Sequence, residues 1–219
     1  TPARSPREPS RAFFPQETGE MSRLPYSYVG VPLSKEPFDK VNVEAFLDFY
    51  CPFSAKATPT LFELSKLENV SVRVIPYPQP WHWEGGIIAT CFNIINEKKV
   101  HWEKKADCFK QLMAAYQTFK QEGKEDIAGI KKVAFKIIGD VTKTEESYLG
   151  TAFYNDDSPG PQRRLKNQIK YGRTNAIHET PTFMVNGLVV NASSSWDIEK
   201  WTQFLEPLLK EASCGSASK

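Results

Sequence analysis

Two runs of alternating apolar residues, VNVEAFLDFY (41–50) and VSVRVIPY (70–77), flank one segment with helical spacing. In the first, Val41, Val43, Ala45 and Leu47 alternate before a near-continuous apolar end, the pattern of a strand buried at the centre of a sheet. In the second, Val70, Val72 and Val74 alternate, and YPQP ends the run. Between them Leu61, Leu64 and Leu67 recur as one face of a helix begun at Pro52. Pro52 suits a first helical turn, where its missing N–H costs nothing, and Pro59 kinks the helix further in. Strand, helix and strand in one short stretch predict a parallel pair with a right-handed crossover.

The rest of the chain is read around this unit. YSYVGVPL (26–33) suggests a short strand, and residues 1–24, rich in charge and proline, a flexible arm. Residues 84–173 show mostly helical periodicity. Ile87, Ile88, Cys91, Phe92 and Ile95 line one face, and Trp102, Phe109, Leu112, Met113, Tyr116 and Phe119 another. Shorter helices are expected at 127–138, 148–154 and 162–171. PTFMVNGLVVNA (181–192) predicts a hairpin, because Asn186-Gly187 supplies two positions that accept positive φ. WDIEKWTQFLEPLL (196–209) predicts a closing amphipathic helix before a flexible tail at 212–219.

Composition narrows the classes. The chain has 219 residues, enough for one sizeable core or one domain carrying a large insertion. A net charge of +2 makes no electrostatic case for nucleic acid or an anionic membrane. The longest apolar run, GIIATCFNII (86–95), contains Asn93 and is too short to span a bilayer. The first residue is Thr1 rather than methionine, which leaves room for a removed leader. Asn69-Val70-Ser71 and Asn191-Ala192-Ser193 are glycan acceptor triplets of a kind used in the secretory pathway. Four cysteines (51, 91, 108 and 214) are too few for a disulfide-dense scaffold. These signals favour a secreted chain.

Three local patterns carry a resemblance. DFYCPFS (48–54) places Cys51 where a strand hands over to a helix. HETPTFMVNG (178–187) places a Thr-Pro bond just before the hairpin, and QRRLKNQIKYGRTNAI (162–177) leads into it. Over residues 40–210 or so, the chain resembles the thioredoxin fold of DsbA-like proteins, an α/β fold with a large all-helical insertion. The resemblance implies a first thioredoxin half at 25–83, the insertion at 84–173 and a second half at 174–211. It also implies that Thr180-Pro181 is cis, facing Cys51, with neighbouring peptide groups free to pair with an extended substrate. A trans proline leading into a strand is the alternative. The departure is at Ser54. Family oxidoreductases usually hold a second cysteine there, so this CPFS (CxxS) variant cannot form their internal disulfide.

A thiol at a helix N-terminus meets unsatisfied N–H groups and the positive end of the macrodipole, which favours thiolate. Ser54, one turn inside, is placed to donate its hydroxyl to that sulfur. Such a thiolate can form a mixed disulfide that only an outside thiol, glutathione or a second substrate cysteine, can resolve. Isomerase or deglutathionylation chemistry suits it better than net oxidation. No bound cofactor is implied; glutathione enters as co-substrate, and the partner is an extended peptide or thiol-containing protein. The competing reading makes Cys51 a buried relic on a redox-inactive module that binds a peptide or protein. A third, in which CPFS marks a glutathione transferase or cluster binder akin to a monothiol glutaredoxin, sits poorly with the long insertion.

In PQPWHWEGG (78–86), at the same sheet edge, His82 is a candidate proton donor or receiver. Trp81 and Trp83, with Pro52 and Phe53, would form an apolar wall for a peptide. His82 as a packed corner residue is the plainer alternative. His101 and His178 lack zinc-site spacing. Cys91 and Cys108 lie at mirrored distances from a turn near 98–100, so a disulfide between them is expected if helices 84–97 and 101–120 pack antiparallel. Two free core cysteines are the alternative.

Overall fold

The computed structural model describes residues 29–34, 41–97, 100–122, 126–155 and 160–215. The arm expected at 1–24 and Tyr26–Tyr28 lie outside them. A five-stranded sheet runs β1-β3-β2-β4-β5, with β1 at Val31–Pro32, β2 at Val41–Leu47, β3 at Val70–Pro76, β4 at Thr182–Val185 and β5 at Leu188–Val190. The expected parallel pair forms: Val41 to Leu47 register with Val70 to Pro76, joined through α1 (Pro52–Leu64). β4 runs antiparallel to the other side of β2, with Phe46 opposite Thr182. This pairing brings the loop before β4 to the end of β2, where Cys51 stands. The Asn186-Gly187 turn has φ of 49° and 83°, and Asn186 Oδ1 accepts from Asn42 N–H at 2.9 Å, locking the hairpin to β2.

Between the two halves lie α2 (Trp83–Glu97), α3 (Trp102–Ala114), α4 (Tyr116–Glu122), α5 (Ile127–Thr142), α6 (Glu146–Phe153) and α7 (Pro161–Thr174). The single helix expected over 101–120 breaks at Ala115, which caps α3. α8 (Ile198–Gly215) closes the chain and runs past 211, into the stretch expected as a tail. The architecture is the DsbA-like α/β thioredoxin fold with a helical insertion.

Alternation along the central strands assigns the two faces. Val43, Ala45, Leu47, Val72 and Val74 point into the main core with α1, α2, α3, α5 and α8, whereas Phe46 and Ile75 point to a smaller cluster on the other face. α7 covers that second face. Tyr171 stacks on Phe46 at 5.8 Å and donates from its hydroxyl to Glu44 Oε2 at 2.8 Å. Gln168 pairs with Asn93 of α2 at 2.9 Å and donates to Val29 O at 3.0 Å. These polar bonds fix α7 against the C-terminal half of α2, where Asn93 stands.

Cys91 and Cys108 do not form the expected disulfide: both are free thiols buried in the core. The rings of Phe92 and Phe109 meet at 5.6 Å, so phenylalanines hold the azimuth that faces across the helix pair. Each cysteine lies one residue away, about 100° round its helix. Mirrored spacing set the height but not the direction.

Candidate active site

The site is built where β2 ends. Asp48 N–H donates to Ser54 Oγ at 3.1 Å, and Cys51 N–H donates to Asp48 O at 3.1 Å, so the chain folds tightly onto the first turn of α1. Cys51 is the N-cap of that helix, with φ −99° and ψ 123°, and makes no side-chain cap bond; Pro52 opens the helix proper. Ala55 N–H closes on Cys51 O at 3.0 Å. Pro52 has no N–H, so the first-turn donors near the sulfur are those of Phe53 and Ser54.

Across the site the Thr180-Pro181 peptide is cis. The Cys51 thiol donates to Thr180 O at 3.3 Å, while Thr180 Oγ1 is buried with no partner among the described residues. Cys51 is only 5% exposed, yet Phe53 beside it is 59% exposed and does not wall it off. Pro52 is exposed too. The thiol is therefore recessed, while the Phe53 ring two residues on faces solvent.

Two expected roles change. Ser54 is fully buried and its hydroxyl accepts from Asp48 N–H, so it braces the loop; the sulfur's partner is the Thr180 carbonyl instead. His82 turns to Asp48, with Nδ1 2.6 Å from Asp48 Oδ2, and its ring packs edge-on to Tyr50 and Trp81. Its hydrogen-bond partner is Asp48, not the sulfur.

Asp48 is the residue that sequence reasoning missed. Its side chain is wholly buried and accepts from Tyr50 N–H at 2.9 Å and Gln79 N–H at 3.1 Å as well as from His82. Burial raises its carboxyl above the ordinary range; the two backbone donors and then His82 pull it back only partly. Gly85, in the first turn of α2, must lack a side chain because a Cβ there would fall on Asp48 Oδ1. One carboxylate thus ties β2, the Cys51 loop, the 79–82 loop and α2 together. The signal available was an acid directly after the apolar end of β2 (Ala45-Phe46-Leu47), three residues before the cysteine.

Trp81 and Trp83 are 67% and 50% exposed, as a peptide-facing wall would be. They border a cleft of about 450 Å³ that also touches His82, Ile177 and His178, so it abuts the loop leading to Thr180. Cys51 meets the Thr180-Pro181 loop directly, Ser54 and His82 both bond Asp48, Pro52 and Phe53 are exposed beside Cys51, and Trp81 and Trp83 line the neighbouring cleft. Asn69, on the turn before β3, and Asn191, just after β5, are exposed. Among the described residues no cluster of metal-ligating side chains occurs, and no helix is long and apolar enough to cross a membrane.

Neither a family model nor a curated protein matches the chain. Solved structures do. A Pseudomonas syringae protein provisionally named a protein-disulfide isomerase superposes with a TM-score of 0.64 at 26% identity, over 80% of this chain and 97% of its own. BdbD from Bacillus subtilis, in its oxidised form, gives 0.64 at 17% identity over 83% and 94%. The catalytic domain of Proteus mirabilis ScsC gives 0.61 at 16% over 85% and 93%. The last two establish the shared fold.

Proposed function

We propose, from the premise of a DsbA-like thioredoxin fold, that this chain is a thiol–disulfide oxidoreductase working through the single thiol of Cys51. One observation carries the reading: the thiol of the residue at the N-cap of α1 sits 3.3 Å from the carbonyl before a cis proline. The name of the Pseudomonas syringae structure points the same way. With Ser54 in place of a second cysteine, the chemistry is exchange without net oxidation.

In the first step the Cys51 thiolate attacks one sulfur of a substrate disulfide. A Cys51–substrate bond forms, the original S–S bond breaks, and the other sulfur leaves as a thiolate that takes up a proton. A second thiolate, from glutathione or another substrate cysteine, then attacks the mixed disulfide. The new S–S bond joins those two sulfurs and Cys51 departs with its electron pair. Thr180 O must exchange its S–H donor for a substrate N–H as the thiolate forms, which couples peptide docking to activation. Substrates are glutathionylated or mispaired proteins, and the secretory pathway, with Asn69 and Asn191 glycosylated, is the compartment this chemistry suits.

A second reading has its own observation. At 5% exposure, with its proton held by a backbone carbonyl, Cys51 could be a packing group in a peptide-binding module. Deglutathionylation of a model peptide separates the two. Cys51→Ala should lower the rate at least about a hundredfold while peptide affinity and Tm hold; an unchanged rate would leave the binding module.

A further inference from the structure

Beside the cysteine corner, the cleft at Trp81 continues into a second one of about 570 Å³ between α2 and α7. Trp83, Gly86, Leu165, Ile169 and Arg173 line both, so the two form one groove. Its character departs from the near-neutral chain. α7 carries Arg163, Arg164, Lys166, Lys170 and Arg173 with no acidic residue from Pro161 to Thr174. Lys166, Lys170 and Arg173 reach the groove, and no aspartate or glutamate lines either part of it among the described residues.

Gln79 adds an independent mark. It lines the groove's inner end and is only 4% exposed, yet its Nε2 has no hydrogen-bond partner among the described residues. A buried amide donor without an acceptor is costly unless something with an oxygen completes it. Exposed indole surface, cations along the lining and an unmatched donor together ask for a ligand that is apolar, anionic and rich in carbonyl or carboxylate oxygen. An acidic peptide with aromatic or aliphatic side chains meets all three demands. Gln79 and His82 both bond Asp48, which links the groove's end to the Cys51 loop.

We propose that this groove docks an acidic, apolar segment of the protein whose disulfide Cys51 attacks; as a statement about substrate, it rests on the reading of Cys51 given above. Carboxylates of the segment lie along Lys166, Lys170 and Arg173, and its apolar side chains lie on Trp81 and Trp83. Selection comes from the charge of the segment and not from the sulfur chemistry.

The test uses the full chain carrying Cys51→Ala, so that no covalent capture occurs, and follows fluorescence anisotropy of labelled decapeptides. One probe combines Glu and Asp with Phe and Leu; in a second, Lys and Arg replace the acids; a single-stranded oligonucleotide is the third. The acidic peptide should bind at least about tenfold tighter than the basic one and weaken with salt as the Debye length shrinks. The triple reversal Lys166→Glu, Lys170→Glu, Arg173→Glu should weaken it at least about tenfold. The matched reversal of Lys66, Lys104 and Lys132, exposed elsewhere, should change it less than about twofold. Equal binding of the two peptides, equal loss in both reversals, or tighter binding of the oligonucleotide would overturn the proposal. A small disulfide substrate, assayed with Cys51 intact, separates the two readings. If Cys51 is inert but the acidic peptide binds, the groove stands alone; if Cys51 reacts but the peptide ignores the reversals, only the groove falls.

Discussion

The sulfur of Cys51 and the carbonyl oxygen of Thr180 lie 3.3 Å apart although 129 positions separate them in the chain. The contact exists because β4 pairs antiparallel with β2, so the chain enters β4 where β2 leaves the sheet. That carbonyl accepts the thiol proton.

Restoring the missing thiol should change the chemistry from exchange to oxidation. Ser54 is buried one turn inside the helix, so Ser54→Cys places a second sulfur beside Cys51 at the cost of a weaker acceptor for Asp48 N–H. Intact-mass analysis of the oxidised variant should show the loss of a pair of hydrogens, and the variant should oxidise a reduced peptide, which the parent should not. A variant that stays fully reduced under oxidant would show that the two side chains diverge.

Asp48 should leave a signature in stability against pH. Its carboxyl is raised by burial, so the folded state holds the proton more tightly than the unfolded chain does. The stability this gives is full below the ordinary carboxylate value of about 3.9 and is lost as pH rises through the raised one. The Tm of the parent minus that of Asp48→Asn should therefore fall as the pH is raised above about 4. Superposed on that slope is a loss of roughly 1–3 kcal/mol in the variant, because Nδ2 cannot accept from Gln79 N–H as Oδ2 does. A difference that stays flat with pH would mean that Asp48 titrates like a surface carboxylate.

Reductant should not move the Tm. Cys91 and Cys108 are free, and burial pushes Cys108 up to about 12 and Cys91 higher still. Both should resist alkylation in the folded protein at pH 8 and react on unfolding, and mutation of either to Ala should cost about 1–2 kcal/mol as a lost core contact. Protection of both thiols from alkylation in unfolded, unreduced protein would reinstate the bridge.

Much of the fold was legible because its signals are local. Alternation along 41–47 and 70–76, Pro52 at a helix start and Asn186-Gly187 at a turn each act through near neighbours, and all appear where their pattern put them. Spacing failed where direction mattered, at Cys91 and Cys108, because a helical residue's height can be counted but its facing depends on how two helices roll together. The division of 101–122 at Ala115 was likewise not written in the apolar face, which continues across the break.

By itself the sequence determined a strand–helix–strand unit with one thiol at its corner, and it ruled out an internal CxxC disulfide, since residue identity settles that whatever the packing. Tertiary structure alone decided what the thiol touches. It turned Ser54 to the backbone and His82 to Asp48, buried that carboxylate at the junction of four segments, and set the basic side of α7 beside two exposed tryptophans. Those outcomes depend on azimuths and long-range pairings, which are fixed only when the whole core packs at once.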